Sequence, residues 1–125
     1  MPEAILPDTN IFVDYFRGRE KAVELVGAEA SRIVLSAIVV AELYAGVKGA
    51  REEMILGNFI QLFEVVPVTE EIAVLGGTYR KTFGKSHGVG LADALIAASA
   101  ELGNAELKTL NVKHFPMIRG LLPAY

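Results

Sequence analysis

A chain of 125 residues fits a single domain over residues 1–125, because domains commonly run about 100–150 residues. It contains no cysteine, which excludes disulfides and thiolate metal sites, so a bound metal would take oxygen or imidazole ligands. The formal net charge of −3 excludes a chain-wide basic field, and nucleic acid would have to bind to a local basic patch.

Strand and helix signals alternate from the start of the chain. Residues 4–6 are a short apolar run that ends at Pro7 and Asp8, which predicts a buried strand. The apolar positions of residues 11–16 have the spacing of one helix face, and Gly18 ends that helix. The pattern then predicts a helix over residues 20–30, a strand over 33–35, and a helix over 37–48 with Ser36 as its N-cap and Gly49 as its end.

The same alternation continues in the second half of the chain. It predicts a helix over residues 51–61, a strand over 63–66, a helix from 69 to 83, a loop at Gly84, Gly88 and Gly90, a helix over 91–102 and a strand over 106–110. Alternating strands and helices predict an α/β fold with a mostly parallel sheet, since parallel strands need crossover helices. Ligands bind at the carboxyl ends of the strands in such sheets, so we expect the functional site there.

Hydrophobic residues make up 52% of the chain, at or above the usual share of roughly 45–50% for a soluble domain. The longest apolar run, residues 33–41, is far shorter than a membrane span of about 18–20 residues and contains Ser36. Glu3 and Pro7 interrupt the one candidate signal peptide, so we expect a cytoplasmic protein. We interpret the apolar surplus as the interface of a homodimer or of a partner complex.

Three acidic residues, Asp8, Glu42 and Asp93, lie in apolar surroundings at a predicted strand end or near a predicted helix start. Each also has a plainer interpretation. Asp8 is interpretable as a turn or N-cap aspartate, Glu42 as a residue on the one solvent-exposed side of its helix, and Asp93 as an acid that the helix dipole favours in the first turn. The helix around Glu42 is apolar on every side, which predicts burial all round. A buried glutamate is rare unless it is paired or binds a metal.

A parallel sheet would bring these three positions together. Carboxylates about 4–6 Å apart repel one another, so such a group persists when a cation neutralises it. Hard oxygen ligands favour Mg²⁺ or Mn²⁺. The acids therefore predict a metal site at one edge of the sheet.

Four segments, in order along the chain, resemble the motifs of PIN-domain toxins of the VapC type. Residues 8–18 (DTNIFVDYFRG) resemble the opening of these proteins, and residues 39–46 (VVAELYAG) resemble their second motif. Residues 88–100 (GVGLADALIAASA) are similar to the third motif and residues 109–115 (TLNVKHF) to the fourth. The third segment is the most specific, because an aspartate followed by a helix of small residues is characteristic of the family.

The resemblance implies a three-layer fold in which helices flank a mostly parallel, five-stranded sheet. It also implies a Mg²⁺-dependent endoribonuclease, with Mn²⁺ able to substitute, in which Asp8, Glu42 and Asp93 bind the metal. A cognate antitoxin is the implied partner. Where many PIN domains carry a fourth acid, this chain has Asn111, which we include in the catalytic set. Asp14 is a possible source of the missing charge, but we prefer a structural role for it.

RNA binding requires positive charge and polar side chains close to the acids. Arg80 and Lys85 precede the Asp93 segment, although each is also interpretable as a solvated surface residue. With a single metal the leaving 3′-oxygen needs another donor, for which Thr9, Thr109 or a water are the candidates. We predict that substrate contacts involve Thr9, Asn10, Arg80, Lys85 and Thr109.

Three other functions share all or part of this pattern. A PIN-type nuclease of RNA maturation or DNA flaps would use the same acids, but such proteins usually carry extra domains. A catalytically silent PIN-fold binding module would not need all three acids, which this chain retains. A receiver-type phosphoacceptor domain also alternates strands and helices, but the early adjacent pair of acids that it requires is absent.

Overall fold

Short parallel strands form the sheet of the molecule. The computed structural model describes residues 3–125, and within them the strands are β1 (Ala4–Pro7), β2 (Val34–Ser36), β3 (Glu64–Val66) and β4 (Ala105–Lys108). β1 pairs with β4, and β2 pairs with β3, both in parallel. A single parallel bridge between Ile5 and Ile33 joins the two pairs, which gives the spatial order β4-β1-β2-β3.

The parallel α/β architecture is confirmed, but the expected number of strands is wrong: residues 3–125 contain four strands instead of five. The chain after β4 does not form another ladder. It enters a 3₁₀ turn at Val112–His114, and a single backbone hydrogen bond from Ala124 N to Thr109 O (2.9 Å) returns it to the end of β4. That strand also ends at Lys108, two residues before its predicted end.

Helices connect the strands. Two predicted helix ends are wrong, for local reasons. The helix after β2 ends at Ala45 instead of residue 48, with Gly46 as its C-cap, and Gly49 begins the next helix. The helix predicted to stop at residue 83 continues to His87, because the left-handed residue that ends it is Gly88 (φ 65°) and not Gly84. The helices are α1 (Thr9–Phe16), α2 (Glu20–Glu29), α3 (Ala37–Ala45), α4 (Gly49–Ile60), α5 (Glu70–His87) and α6 (Leu91–Leu102).

Small residues let α6 lie in the centre of the protein. Ala94, Ala97 and Ala98 have no exposed surface, and α5 approaches α6 closely at Gly76, where an added Cβ would lie 2.5 Å from Leu95 Cδ2. The start of α6 is therefore held tightly against the rest of the fold. No helix in residues 3–125 is long and apolar enough to cross a membrane.

α3 is less buried than its sequence predicts. Val39 and Leu43 face the core, whereas Ala41 and Tyr44 are exposed and Glu42 is only partly buried. The expectation of burial on every side is therefore wrong, because α3 packs at the surface of the domain. An apolar sequence at an exposed position of this kind leaves hydrophobic surface in contact with water.

Candidate active site

The ends of β1 and β4 meet at Asp8. Its backbone N–H donates to Lys108 O (2.7 Å), which continues the pairing of the two strands by one residue. The Asp8 side chain is 5% exposed and caps α1 by accepting from Thr9 N (2.8 Å) through Oδ1. Its other oxygen, Oδ2, accepts from the Thr109 hydroxyl (2.8 Å). Asp8 is thus both the N-cap of α1 and a rigidly held carboxylate at the strand ends.

Glu42 reaches the same place from α3, which starts directly after β2. Its Oε1 accepts from the Thr9 hydroxyl at 2.6 Å, so one residue of α1 contacts both Asp8 and Glu42. The short distance is typical of a hydroxyl that donates to an ionised carboxylate. Thr9 therefore connects the first two acids.

Asp93 lies in the first turn of α6. It is not the N-cap, because Gly90 occupies that position, and its Oδ2 instead contacts His114 Nδ1 at 3.1 Å. Burial raises the pKa of Asp93 above the usual 3.8, and the negative charge of Asp8 raises it further. His114 lowers this pKa by its charge and hydrogen bond, while Glu42 raises it. The three acids are therefore close enough to interact electrostatically.

A hard divalent cation fits this set of residues in donor chemistry and in charge. All three side chains offer carboxylate oxygens, and the charge on Asp8 and Glu42 is strong enough to raise the pKa of Asp93. Within residues 3–125, no Lys or Arg forms an ion pair with any of the three acids. No three acidic or histidine side chains of the described chain, however, already stand close enough to hold a metal ion. A cation would have to draw the carboxylates together.

The remaining predicted residues around the acids differ in exposure. Thr109 is fully buried, so its hydroxyl supports Asp8 and does not face an RNA strand in this conformation. The side-chain oxygen and nitrogen of Asn10 are both buried and have no hydrogen-bond partner among the described residues. Asn111 is exposed, and its backbone N–H donates to the Thr109 hydroxyl at 3.0 Å.

Arg80 and Lys85 are exposed on α5. Neither belongs to an ion pair within residues 3–125, so both charges are free to meet phosphate. Neither is brought into contact with Asp93: the side chain that faces this acid is the imidazole of His114. The sequence identified Arg80 and Lys85 by charge alone, and the pairing of Asp93 with His114 was missed because the two residues are far apart along the chain.

Asp14 has the structural role that we preferred. Its Oδ2 accepts from the Tyr125 hydroxyl (2.7 Å), and its Oδ1 pairs with Arg19 Nε (3.2 Å), so both of its oxygens are occupied. Tyr125 lies in a stretch whose sequence has no periodic pattern, and nothing local predicts this contact. The pair joins the end of the described chain to α1, the helix that begins beside Asp8.

Tyr125→Phe is expected to destabilise the protein by about 1 kcal/mol below pH 10, because it removes a hydrogen bond to a carboxylate. Burial, followed by the hydrogen bond and charge of Asp14, raises the pKa of Tyr125 from 10.0 to about 12. A raised folded-state pKa contributes stability below pH 10, and this contribution is lost as the pH rises towards 12. Denaturant unfolding should therefore show a difference between wild type and variant that shrinks over this range.

The control is Tyr44→Phe, because Tyr44 is an exposed residue whose hydroxyl forms no hydrogen bond in the described structure. If Tyr125→Phe unfolds like wild type at every pH, the contact with Asp14 does not exist in solution.

Comparison with known proteins identifies the family. The PIN domain profile matches residues 5–115, which is most of the chain. The chain belongs to the PIN-domain family. The resemblance seen in the four sequence motifs is thereby confirmed, and Asp8, Glu42, Asp93 and Asn111 all lie inside the matched range.

Similar PIN-domain proteins match over nearly their whole length. Ribonuclease VapC19 of Mycobacterium tuberculosis (strain CDC 1551 / Oshkosh) is 40% identical over 124 residues, which are 96% of this chain and 98% of that protein. Ribonuclease VapC10 of the same strain is 36% identical, over 97% of this chain and 92% of the relative. A solved toxin-antitoxin complex from Klebsiella pneumoniae contains a chain with a TM-score of 0.84 and 30% identity, with 98% of each chain covered.

Proposed function

We propose that this PIN-domain protein is a Mg²⁺-dependent endoribonuclease and the toxin of a toxin-antitoxin pair, with residues 1–125 as one nuclease domain. The observation that carries the proposal is the grouping of three acids. Asp8 directly follows β1, Thr9 joins it to Glu42 in the helix after β2, and both acids raise the pKa of Asp93 in the first turn of α6. Full-length similarity to proteins named ribonuclease supports RNA as the substrate. Cytoplasmic location is part of the proposal.

Asp8, Glu42 and Asp93 are the residues that would hold Mg²⁺, or Mn²⁺ in its place. When bound, the ion supplies a Lewis acid that makes water a stronger nucleophile and offsets negative charge on the phosphate. The protein's own contribution is to fix the carboxylates. Thr109 holds Asp8 and Thr9 holds Glu42, so these two acids do not need to be ordered when the substrate arrives.

Substrate binding is assigned to Thr9, Asn10, Arg80 and Lys85. Asn111, which is exposed, is proposed as the fourth member of the catalytic set. Both polar atoms of the Asn10 side chain are buried and have no partner among the described residues, so the residues that cover them would have to move before RNA could reach them. Arg80 and Lys85 form no ion pair within residues 3–125, and we assign them to phosphates of the substrate. Thr109 is kept in the site as the support of Asp8.

The test is cleavage of an unstructured and a hairpin RNA by the purified protein in Mg²⁺ or Mn²⁺. We expect cleavage of at least one RNA, its loss on chelation, and its return when the ion is added back. The Glu42→Gln variant, purified in the same way, controls for contaminating ribonuclease. RNA cleavage that survives chelation in wild type but is lost in this variant would show that the acids act without a metal.

An antitoxin segment is proposed to occupy the groove beside Glu42. The groove has a volume of about 530 Å³ and lies between α1, α3 and α4, with an apolar wall that includes Phe16, Leu43 and Ile55. Its charged lining residues are two acids and two bases, Glu42, Glu52, Arg17 and Lys48. A segment with apolar side chains and one arginine or lysine beside Glu42 would match the apolar wall and that carboxylate. Solved complexes of similar chains with antitoxins support such a partner.

The protein encoded by the neighbouring reading frame is expected to inhibit RNA cleavage, and Ile55→Asp should weaken its binding at least about tenfold by placing a charge in the apolar wall. Met54→Asp is the matched control, because Met54 is a more exposed neighbour on α4 and does not line the groove. Isothermal titration calorimetry measures both affinities. Equal binding by the two variants would mean that the antitoxin binds to another surface of the protein.

A homodimer is the other proposed assembly. Several apolar side chains are strongly exposed, among them Leu62 at 74% and Leu122 at 77%, and exposed apolar surface of this kind is typical of association surfaces. Sedimentation velocity of the protein without antitoxin should give the mass of two chains. A single monomeric species would mean that the apolar surface serves another partner.

A further inference from the structure

Each of the three acids is held by a donor from another part of the chain. Thr109 donates to Asp8, and Thr9 donates to Glu42. Asp93 differs, because its contact is with the imidazole of His114, at 3.1 Å from Oδ2 to Nδ1. No other side chain of residues 3–125 forms a hydrogen bond with Asp93. Its orientation therefore depends on His114 alone.

The backbone fixes His114 in this position. It is the last residue of the 3₁₀ turn Val112–His114, and its N–H donates to Asn111 O at 2.9 Å. The following residue, Phe115, is 1% exposed and anchors the turn in the core. The imidazole itself remains about half exposed (52%), so it is held over the site without being part of the core.

The chemistry of a carboxylate held by imidazole favours one orientation of the acid. A ring N–H that donates to one oxygen restrains rotation of the carboxylate and leaves the other oxygen free for a cation or a substrate. Partners that orient metal ligands in this way typically change metal affinity or activity by about 10–100-fold when they are removed. In this chain the donor would be Nδ1, since that is the nitrogen beside Asp93.

We propose that His114 is a positioning residue that holds Asp93 for cation binding by donating from Nδ1 to Oδ2. This inference rests on the proposed metal-dependent function. It concerns a residue outside the three acids, and His114 acts through Asp93 instead of touching the reacting atoms. The tautomer with hydrogen on Nδ1 is the one that makes this contact.

Three substitutions separate the contact from the rest of the ring. His114→Ala removes the donor. His114→Asn places an amide N–H close to the position of Nδ1, whereas His114→Gln places it close to that of Nε2. His87→Ala is the matched control, because it makes the same change at the other histidine of the chain, at the exposed end of α5.

Mn²⁺ affinity is measured first, by isothermal titration calorimetry of each folded variant without RNA. We expect His114→Ala to weaken Mn²⁺ binding by about 10–100-fold. Asn should restore most of the affinity and Gln should not, and His87→Ala should bind like wild type. If His114→Ala does not fold, the comparison of Asn with Gln still decides, because both retain a polar side chain at the position.

Cleavage kinetics give the second measurement. At saturating Mn²⁺ the affinity defect is overcome, so a lower kcat with an RNA KM within about twofold of wild type would show that Asp93 is misoriented in the loaded enzyme. Unchanged Mn²⁺ affinity and kcat in His114→Ala would overturn the inference about His114. The proposed function would still stand in that case if the wild type cleaves RNA. Restoration by Gln instead of Asn would also overturn it. Failure of the wild type to cleave RNA would reject the proposed function itself.

Discussion

Asp8→Asn, Glu42→Gln and Asp93→Asn should each reduce RNA cleavage by more than about 100-fold, the upper end of the range for residues that only support a metal ligand. Each substitution removes one negative charge from a set whose members interact electrostatically. A divalent cation is bound by that charge, and amide oxygens replace it poorly. The change in shape is small, because each carboxylate becomes an amide of nearly the same size.

Cleavage rates of these variants need a fold control and a charge control. Circular dichroism and thermal melts should show that all three variants are folded. Glu53→Gln serves as the charge control, because Glu53 is an exposed glutamate of α4 that has no ion pair in the described structure. It should cleave at the wild-type rate. If two of the three acid variants cleave normally, the site is wrong.

Asp93→Asn is also expected to raise the melting temperature of the metal-free protein at pH 7.5. The pKa of Asp93 is raised in the folded state, first by burial and then by the charge of Asp8. A raised carboxylate pKa means that the contribution of Asp93 to stability is present below pH 3.8 and is lost as the pH rises through the folded-state pKa. At pH 7.5 the ionised group destabilises the fold, and Asn removes this effect.

Two local contacts of Asp93 bear on this expectation. Gly90 is the N-cap of α6, so Asp93→Asn removes no capping hydrogen bond. The variant does lose the attraction of an acid for the helix dipole, worth about 0.3–1 kcal/mol, which acts against the gain. The Asn carbonyl can still accept from His114 Nδ1, so that contact is not lost.

Mn²⁺ should reverse the order of stability. An ion that binds only the folded state stabilises it by about 2.7 kcal/mol at one hundred times its dissociation constant. For a domain of this length that corresponds to a rise of roughly 10 °C in the melting temperature. Wild type should show this rise and Asp93→Asn should show much less of it. The prediction fails if wild type shows no metal shift, or if the variant is less stable in chelator and keeps the full shift.

Local sequence signals predicted most of the elements that position the acids. Pro7 and Asp8 mark the end of β1, and Ser36 caps α3 through a hydrogen bond to Ile38 N (3.1 Å), as a serine before an apolar helix should. The errors at helix ends are at glycines. Gly84 was interpreted as a loop residue, yet a glycine within a long helix costs only about 1 kcal/mol, and packing along α6 outweighs it.

Local sequence patterns do not predict the contacts between segments that are distant along the chain. Tyr125 meets Asp14 across 111 residues, and His114 meets Asp93 through a turn whose geometry no periodicity encodes. The expected repulsion among the carboxylates is present, since Asp8 and Glu42 both raise the pKa of Asp93. Burial of Asp93 raises this pKa more than either neighbouring charge does, and the sequence did not predict that. Burial of a single side chain depends on how helices pack, which composition does not determine.

The pairing of the first strand with the last also bears on when this protein becomes active. Asp8 and its support Thr109 are 101 residues apart, and a ribosome that adds about 5–20 residues per second needs roughly 5–20 s to make the stretch between them. Contacts of such long sequence separation form late in folding. A nascent chain therefore carries Asp8 and Glu42 for seconds without a closed sheet around them, so the proposed site is not assembled until Thr109 has been synthesised.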